Sequence, residues 1–486
     1  MSQTEAPLLR IAVCLILGIV AGDALTAPFP LLPLFVGMVV AALLTRKWAQ
    51  VQSLLVCLGF VVLGALLIKQ KKALQVAWPE GEISYEAVII SEPTEKPKTI
   101  AVDLLLTKSR QKVKAYIHKD RRSRALHVGN GLHIRSQIRE NSSWRRGTFD
   151  YRRFLEVHGF TGTTFVSGWN WQQAKVSLKD LSYLERSRLF FLQQRSRLLQ
   201  RFAHQGLESD EYAVVAAMTL GDKSVLTKEL KEIYSQTGAS HVLALSGLHL
   251  GIIYMLLSLL IVGRRWRLTA QLLVILSIWA YVFLVGLPVS VVRSAVMLTV
   301  YALLSLGYRQ KMSVNILAFT AIIMLCWNPL ALYDVGFQLS FMSVLAILLF
   351  MPLFEGVIPQ EYLLSHRLTH WLWGMICISV SAQLGAAPLI AYYFGRFSTW
   401  FLLTNFIVVP AATLILYLSL MVLIIPSCTL LLLYVVRTLN TLLSQIATLP
   451  LASIDGLHPS LWQVVLIYLG ILILYHSIRR YRRYRR

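Results

Sequence analysis

Hydrophobic positions along this chain fall into two textures. Long, almost unbroken apolar runs occupy 8–22, 29–45 and 51–68, and again 241–262, 268–286, 289–306, 312–327, 335–353, 371–394, 400–425, 428–449 and 460–477. A bilayer-crossing helix needs roughly 17–25 mostly apolar residues. The pattern therefore predicts an α-helical polytopic membrane protein of about 12 spans, three followed by nine. Arg437, Asn440 and Gln445 interrupt 428–449, which reads either as a span or as an interfacial or re-entrant segment. The first run leads directly into further spans, so it reads as a retained helix and not as a cleaved signal.

The second texture lies between the two blocks. Over 80–173 the apolar runs are short and alternate with polar residues, as in Tyr85 to Ile90 and Lys112 to Ile117. Alternation with a period of two predicts half-buried strands, and Gly129-Asn130-Gly131 marks a turn. About 90 residues of short strands suit a small extracytoplasmic barrel of the OB type. From 178 to 205 the period turns helical, with Arg186, Arg188, Arg195, Arg197 and Arg201 among Leu189, Phe190, Leu198 and Phe202. That predicts a basic amphipathic helix on a membrane surface, followed by shorter helices at 208–220 and 226–237. The expected division is a three-span segment (1–72), an outer β domain (80–173), interfacial helices (178–237), a second membrane block (238–478) and a basic tail (479–486).

Composition sharpens the class. The chain is 56% hydrophobic and 15% charged, against about 45–50% and 25% for soluble domains. Its net charge is +23, from 47 Lys and Arg against 24 Asp and Glu. Such an excess favours polyanionic partners, membrane lipid or nucleic acid. Arg46-Lys47, Arg264 to Arg267, Arg309 with Lys311, and the tail fall on one side of the predicted spans. The positive-inside rule makes that side cytoplasmic, with both termini inside, although Lys69 to Lys72 fall outside. Cys14, Cys57, Cys326, Cys377 and Cys428 all sit in apolar runs and form no CxxC pair. They are expected to be small core residues, with neither a metal site nor a disulfide framework.

Three sets of residues carry candidate chemistry. Lys108 to Arg153 holds fourteen Lys and Arg against three acids, with Tyr116, Trp144, Phe149, Tyr151 and Phe154 interleaved. Cations for phosphates beside rings for bases are what sequence-tolerant binding of single strands uses. The candidate contacts are Lys112, Lys114, Arg121, Arg122, Arg145, Arg146, Arg152 and Arg153; docking on anionic lipid is the competing reading. The second set is His241, Ser246 and His249, with Gly247 and Gly251 spaced for close helix packing. Ser246 and His249 share a helix face, yet helical spacing without a third group is poor support for a nucleophile and base. No enzymatic activity, metal or cofactor is expected. The third set is polar residues inside spans: Arg293, Asp334, Gln338, Gln383 and Asn405. Charges at that depth usually line a pathway or pair with each other, so Asp334 is the expected mate of Arg293. Pro388 and Pro410 are expected to break their helices.

Four motifs carry a family resemblance. His241-Val-Leu-Ala-Leu-Ser246-Gly247-Leu-His249-Leu-Gly251 resembles the hallmark of the ComEC family of competence proteins. Asn328-Pro329 with Asp334-Val-Gly-Phe-Gln338-Leu-Ser340-Phe341 resembles its second motif. Gly286-Leu-Pro-Val-Ser-Val-Val-Arg293-Ser-Ala and Gln383-Leu-Gly-Ala-Ala-Pro388 are similar to two more. Gly147 to Leu155, followed by His158-Gly159-Phe160, resembles the end of the family's outer domain. The resemblance implies an inner-membrane channel that imports single-stranded DNA. It also implies a periplasmic DNA receptor, a pilus-like apparatus, a cytoplasmic motor or single-strand-binding proteins, and a homo-oligomer among the potential assemblies. Many members carry a metallo-β-lactamase-like domain, and some have a disulfide in the outer domain. This sequence has no His-x-His-x-Asp-His run, no Walker loop and no cysteine over 80–173. Degradation of the second strand is therefore expected to need a separate nuclease. Against the channel stand two other readings: a secondary transporter of a small anion with an accessory outer domain, and an intramembrane hydrolase built on Ser246 and His249.

Overall fold

The structure is a computed structural model that describes residues 7–25, 30–74, 77–141, 145–146, 149–207, 209–259, 267–306 and 314–484. Arg264 to Trp266, residues 308–311 and residues 485–486, which bear on the predicted orientation, lie outside the described residues, as does Trp144. The side chains of Arg145, Arg146, Phe149 and Arg267 do too.

The first apolar runs form helices α1 (Pro7–Ala24), α2 (Leu31–Leu44) and α3 (Ala49–Ala73). Small residues decide how closely α1 and α3 approach. A Cβ added at Gly18 would lie 2.0 Å from the Val61 carbonyl oxygen, and one at Gly64 would lie 2.4 Å from that of Leu15. Gly22 meets Ala65 in the same way. This is the small-residue packing by which apolar helices associate where no hydrophobic driving force separates them from lipid.

The outer domain follows. It comprises strands β1 (Ile83–Ile89), β2 (Thr94–Glu95), β3 (Thr99–Leu106) and β4 (Lys112–His118), a short helix α4 (Arg121–Arg124), then β5 (Gly131–Ser136) and β6 (Ile138–Arg139). A small hairpin, β7 (Arg145–Arg146) and β8 (Phe149–Asp150), leads into helix α5 (Tyr151–Val157), β9 (Phe160–Val166) and β10 (Trp171–Gln173). The main sheet has eight strands in the order β10-β5-β1-β3-β4-β9-β6, with β2 on β3, and β4 pairs in parallel with β9. Its inward positions, including Ile89, Val102, Leu104, Val113, Ile117, Leu132 and Ile134, form one buried core. The ladder is open: β5 pairs with β1 and β6 with β9, and the run that carries both is interrupted at Gln137. The closed barrel expected from the sequence is thus not reached by continuous pairing.

Helix α6 (Tyr183–Ala203) is amphipathic as expected, and Ser182 with Glu185 closes a capping box at its start. Its apolar face is spent on protein. Leu189 and Leu192 pack with Val88, Ile90 and Leu105 of the β domain. Leu199 and Phe202 enter the core of the second membrane block. Gly129 (φ +89°) allows the close approach, since a Cβ there would strike the Gln193 amide at 2.1 Å. Helix α7 (Ser209–Val215) continues as a fully buried π turn, Ala216–Leu220, and α8 (Lys228–Gln236) follows.

The second block contains α9 (Ser240–Leu243), α10 (Gly247–Leu259), α11 (Arg267–Leu284), α12 (Val289–Leu306), α13 (Val314–Trp327), α14 (Val335–Glu355), α15 (Gln360–Ser365) and α16 (Arg367–Phe394). It closes with strand β11 (Arg396–Ser398), α17 (Phe401–Val422), α18 (Thr429–Ala447), β12 (Ser453–Asp455) and α19 (Leu461–Tyr484). Among the described residues, seven helices are long and apolar enough to cross a bilayer, and five further apolar helices are shorter. The protein is a multi-pass α-helical membrane protein. Helices α16 and α17 run through Pro388 and Pro410 without ending, so the expected breaks do not occur. Helix α18 is a full helix in which Arg437 pairs with Glu211 at 2.6 Å and Asn440 accepts from the Tyr234 hydroxyl at 2.9 Å, while Gln445 is exposed. All five thiols are free. Cys377 is buried, whereas Cys326 is exposed on α13 and is no core residue, contrary to expectation.

Two junctions hold the β domain to the helices. At one, Val157 of α5 is buried with Leu15, Ile19, Ile68, Leu325 and Phe337. At the other, Arg195 of α6 lies 3.7 Å from Asp222, and Glu92 meets the Ser196 hydroxyl beside them. Burial, with Asp222 adding to it, raises the Glu92 pKa above the usual carboxylate range.

Two predictions follow from this packing. Gly18→Val or Gly64→Val should cost stability by overpacking, about 1–3 kcal/mol, read as a lower thermal midpoint in detergent. Gly470→Ala, which meets nothing within 4 Å, serves as the neutral control. The Glu92 junction should be most stable when the carboxyl is protonated, and should weaken as pH rises through its raised pKa. Glu92→Gln should therefore flatten the fall in thermal midpoint as pH rises above the ordinary carboxylate range; an unchanged pH profile would contradict this.

Candidate functional site

The outer domain meets the first and second membrane blocks around α5. Asp150 starts that helix by accepting the Arg153 amide at 3.0 Å. This points Arg153 at Asp23, at the end of α1, with a contact of 2.6 Å. Lys72, at the end of α3, holds the other Asp23 oxygen at 2.7 Å. The Arg153 guanidinium also stacks over Tyr333 at 3.4 Å. A polar cleft of about 310 Å³ lies there, lined by Asp23, Lys72, Asp150, Arg152, Arg153 and Glu156.

The basic residues expected to meet nucleic acid are thus not equivalent. Arg153 is a structural link. Arg152 pairs with Glu156 at 2.9 Å. Lys112 and Lys114 share Asp103 at 3.8 and 2.7 Å. Burial, offset in part by Asp103, pushes the Lys112 amine down to about 8. Arg122 is exposed, reaches the Gly168 carbonyl and lies 5.3 Å from the Trp171 ring. Arg121 is exposed and has no partner among the described residues. Sequence reasoning missed Asp23, Asp103, Glu95 and Glu185, which neutralise much of the window from outside it. Glu95 takes Lys119 and Arg124, and Glu185 takes Arg110.

Within the membrane block the hallmark segment forms a helix start. The Ser246 hydroxyl accepts the Leu248 amide at 3.3 Å, and His249 Nδ1 accepts the Ser246 amide at 3.3 Å while lying 3.2 Å from the Ser246 hydroxyl. This is a reciprocal cap and leaves no base poised on a nucleophile. Gly247 packs against α12, where a Cβ would lie 2.7 Å from the Ser294 hydroxyl. Gly251 meets nothing within 4 Å, so the expected two-glycine packing face reduces to one residue. Ser290, also on α12, donates to the Leu245 carbonyl at 2.7 Å. The turn before α12 is strained, with positive φ at both Gly286 and Leu287. His241 is exposed and its Nδ1 lies 2.9 Å from the Gly238 carbonyl.

Arg293 and His249 are almost completely buried, at 2% and 1% exposure. Arg293 lies over Phe341 at 5.6 Å. Its Nε and Nη1, and His249 Nε2, have no partner among the described residues. The expected mate of Arg293, Asp334, makes no contact with it within 4 Å, although it is the acid whose charge acts on Arg293. Asp334 caps α14 by accepting the Phe337 amide at 2.7 Å, and its other oxygen lies 3.9 Å from His158 Nε2. Gln338 is satisfied at both ends, donating to the Leu332 carbonyl at 2.9 Å and accepting the Tyr393 hydroxyl at 2.8 Å. Asn405 donates to Ser379 at 3.2 Å and ties α17 to α16. Gln383 is half-buried on α16. The structure therefore joins Ser246 to His249 and gathers Asp334, Gln338 and His158 at the α5 junction. Asn405 serves helix packing.

Comparison with known proteins agrees with these motifs. The profile of the family described as Competence protein matches residues 218–481. ComE operon protein 3 of Bacillus subtilis (strain 168) is 26% identical over 404 residues, covering 81% of this chain and 49% of that protein. An uncharacterized protein of Aquifex aeolicus (strain VF5) is 32% identical over 201 residues, 41% of this chain and 45% of its own. The uncharacterized protein YcaI of Escherichia coli (strain K12) is 26% identical over 215 residues, 42% of this chain and 28% of its own. The chain thus spans about half the length of the first two relatives. No solved structure matches significantly. With a profile match over more than half its length, and with the hallmark segment as a buried helix start, the chain belongs to the competence-protein family, the ComEC family that its motifs resemble.

Proposed function

We propose that this protein sits in the bacterial inner membrane, with both termini cytoplasmic, and passes single-stranded DNA inward during natural transformation. The observation that carries this reading is Arg293. A buried guanidinium with two unpartnered nitrogens inside an apolar block is costly unless water or an anion reaches it. His249 Nε2, unpartnered on the adjacent helix α10, extends the same polar lining. A phosphate chain cannot cross hydrocarbon bare, and such groups supply part of what it needs. Ser246, Gln383 and the Asp334–Gln338 end of α14 are the other proposed path positions. The outer domain, which we read as OB-like because one run, 131–139, supplies both β5 and β6, would collect the strand. We assign the protein no catalysis. Energy, strand degradation and delivery would come from a motor, a nuclease and a periplasmic receptor on other chains.

A buried arginine with two unpartnered nitrogens would also suit a small anion, which keeps the transporter reading as the competitor. The two separate in a deletion strain given labelled donor DNA. The expected result is DNA protected outside the cytoplasm but absent from it, with wild type restoring import. Arg293→Gln should lower import about tenfold or more, the scale of one lost charge-assisted contact, while Arg293→Lys retains more. If DNA reaches the cytoplasm equally well without the protein, the DNA reading fails and the anion transporter replaces it.

A further inference from the structure

We infer that a row of aromatic rings on the outer domain forms a stacking track that leads a single-stranded nucleic acid, base by base, to the α5 junction. The inference rests on the DNA reading above and names the surface that would serve it. Phe165 on β9 begins the row and is 65% exposed. The parallel register of β4 and β9 sets it opposite Tyr116, and the two rings stack at 5.1 Å and 19°. Lys96 lies 5.2 Å over the Tyr116 ring. The Tyr116 hydroxyl meets the Tyr151 hydroxyl at 3.1 Å. Tyr151 opens α5, and the helical period then places Phe154 and His158 on the same face. Tyr151 and Phe154 are stacked at 6.1 Å, and Phe154 and His158 lie 4.2 Å apart. His158 ends the row 3.9 Å from Asp334, beside the Arg153–Tyr333 stack.

The row does not serve the β-domain core, which is filled by aliphatic residues and Trp171 on the opposite side of the strands. The Phe165 ring is largely open to solvent, and its stack on Tyr116 makes it part of a continuous aromatic surface and not a lone apolar residue. Lys96 lies over the Tyr116 ring and Lys98, two residues on, is exposed, whereas Lys114, in line with Tyr116 on β4, is already paired with Asp103. Rings flanked by cations fit a polyanion with planar faces, because every base offers a face to stack on.

The test uses full-length protein in nanodiscs, with fluorescently labelled oligothymidylate and an abasic deoxyribose-phosphate oligomer of equal length. Wild type should bind oligothymidylate more tightly. Phe165→Ala and Phe154→Ala should each weaken that binding about fivefold or more and leave the abasic oligomer unaffected, while Phe165→Trp restores it. Both positions are exposed, so truncation leaves the core intact. Equal binding of the two oligomers by wild type, or equal loss of both in the variants, overturns the track and leaves the DNA reading standing. Binding of neither oligomer by wild type overturns both.

Discussion

A charge or an unmet polar group inside a low-dielectric block is costly, and the arrangement of this molecule follows from that constraint. Polar residues in the apolar helices are put to use locally. Thr320 and Ser419 donate to the carbonyls four residues earlier, at 2.9 and 2.6 Å. Asp334 and Ser246 cap helices, and Gln338 and Asn405 tie one helix to another. Other buried groups of these helices also lack a partner, among them the Ser381 and Thr404 hydroxyls and the Trp373 indole, but Arg293 leaves two nitrogens of a charged group unmet, with His249 Nε2 on the neighbouring helix. Function is the physical reason to look there.

The same constraint explains how the outer domain is attached. Asp23, at the end of α1, is compensated from two directions, by Lys72 of the same membrane segment and by Arg153 of the β domain. The bond sits over the apolar contact of Val157 with α1, α3, α13 and α14. A second contact, through α6, buries Leu189 and Leu192 against the sheet and Leu199 and Phe202 against the helices. The β domain is thus fixed to the helices at both junctions, and its aromatic row ends where the Asp334 motif begins.

Much of this was legible in the sequence. Each long apolar run contains a helix, although the run 241–262 is broken at 244–246 into α9 and α10, and the alternating segments Tyr85 to Ile89 and Lys112 to Ile117 lie in strands β1 and β4. Those patterns report burial, which periodicity encodes directly. Partnerships were not legible, because they join distant positions. The Lys108 to Arg153 window looked richly cationic, yet Asp103, Glu95, Glu185 and Asp23 lie outside it and quench much of it. Arg293 and Asp334 looked like mates, but a helix N-terminus claims the acid. The tight glycine packing falls at Gly18, Gly22 and Gly64, where Gly18-x-x-x-Gly22 was a visible signal, and not at Gly251. Phe165 lies beyond the cationic window, and only the β4–β9 register reveals its place beside Tyr116.

The central claim is that a nucleic acid strand passes Arg293. A photo-crosslinking amino acid placed at position 293, and at the exposed position Leu466 on α19 as a control, tests it most directly in cells taking up labelled donor DNA. The account predicts crosslinks between position 293 and single-stranded donor DNA during uptake, and none from position 466. Crosslinks from position 293 to neighbouring helices alone, while DNA continues to enter the cytoplasm, would contradict it.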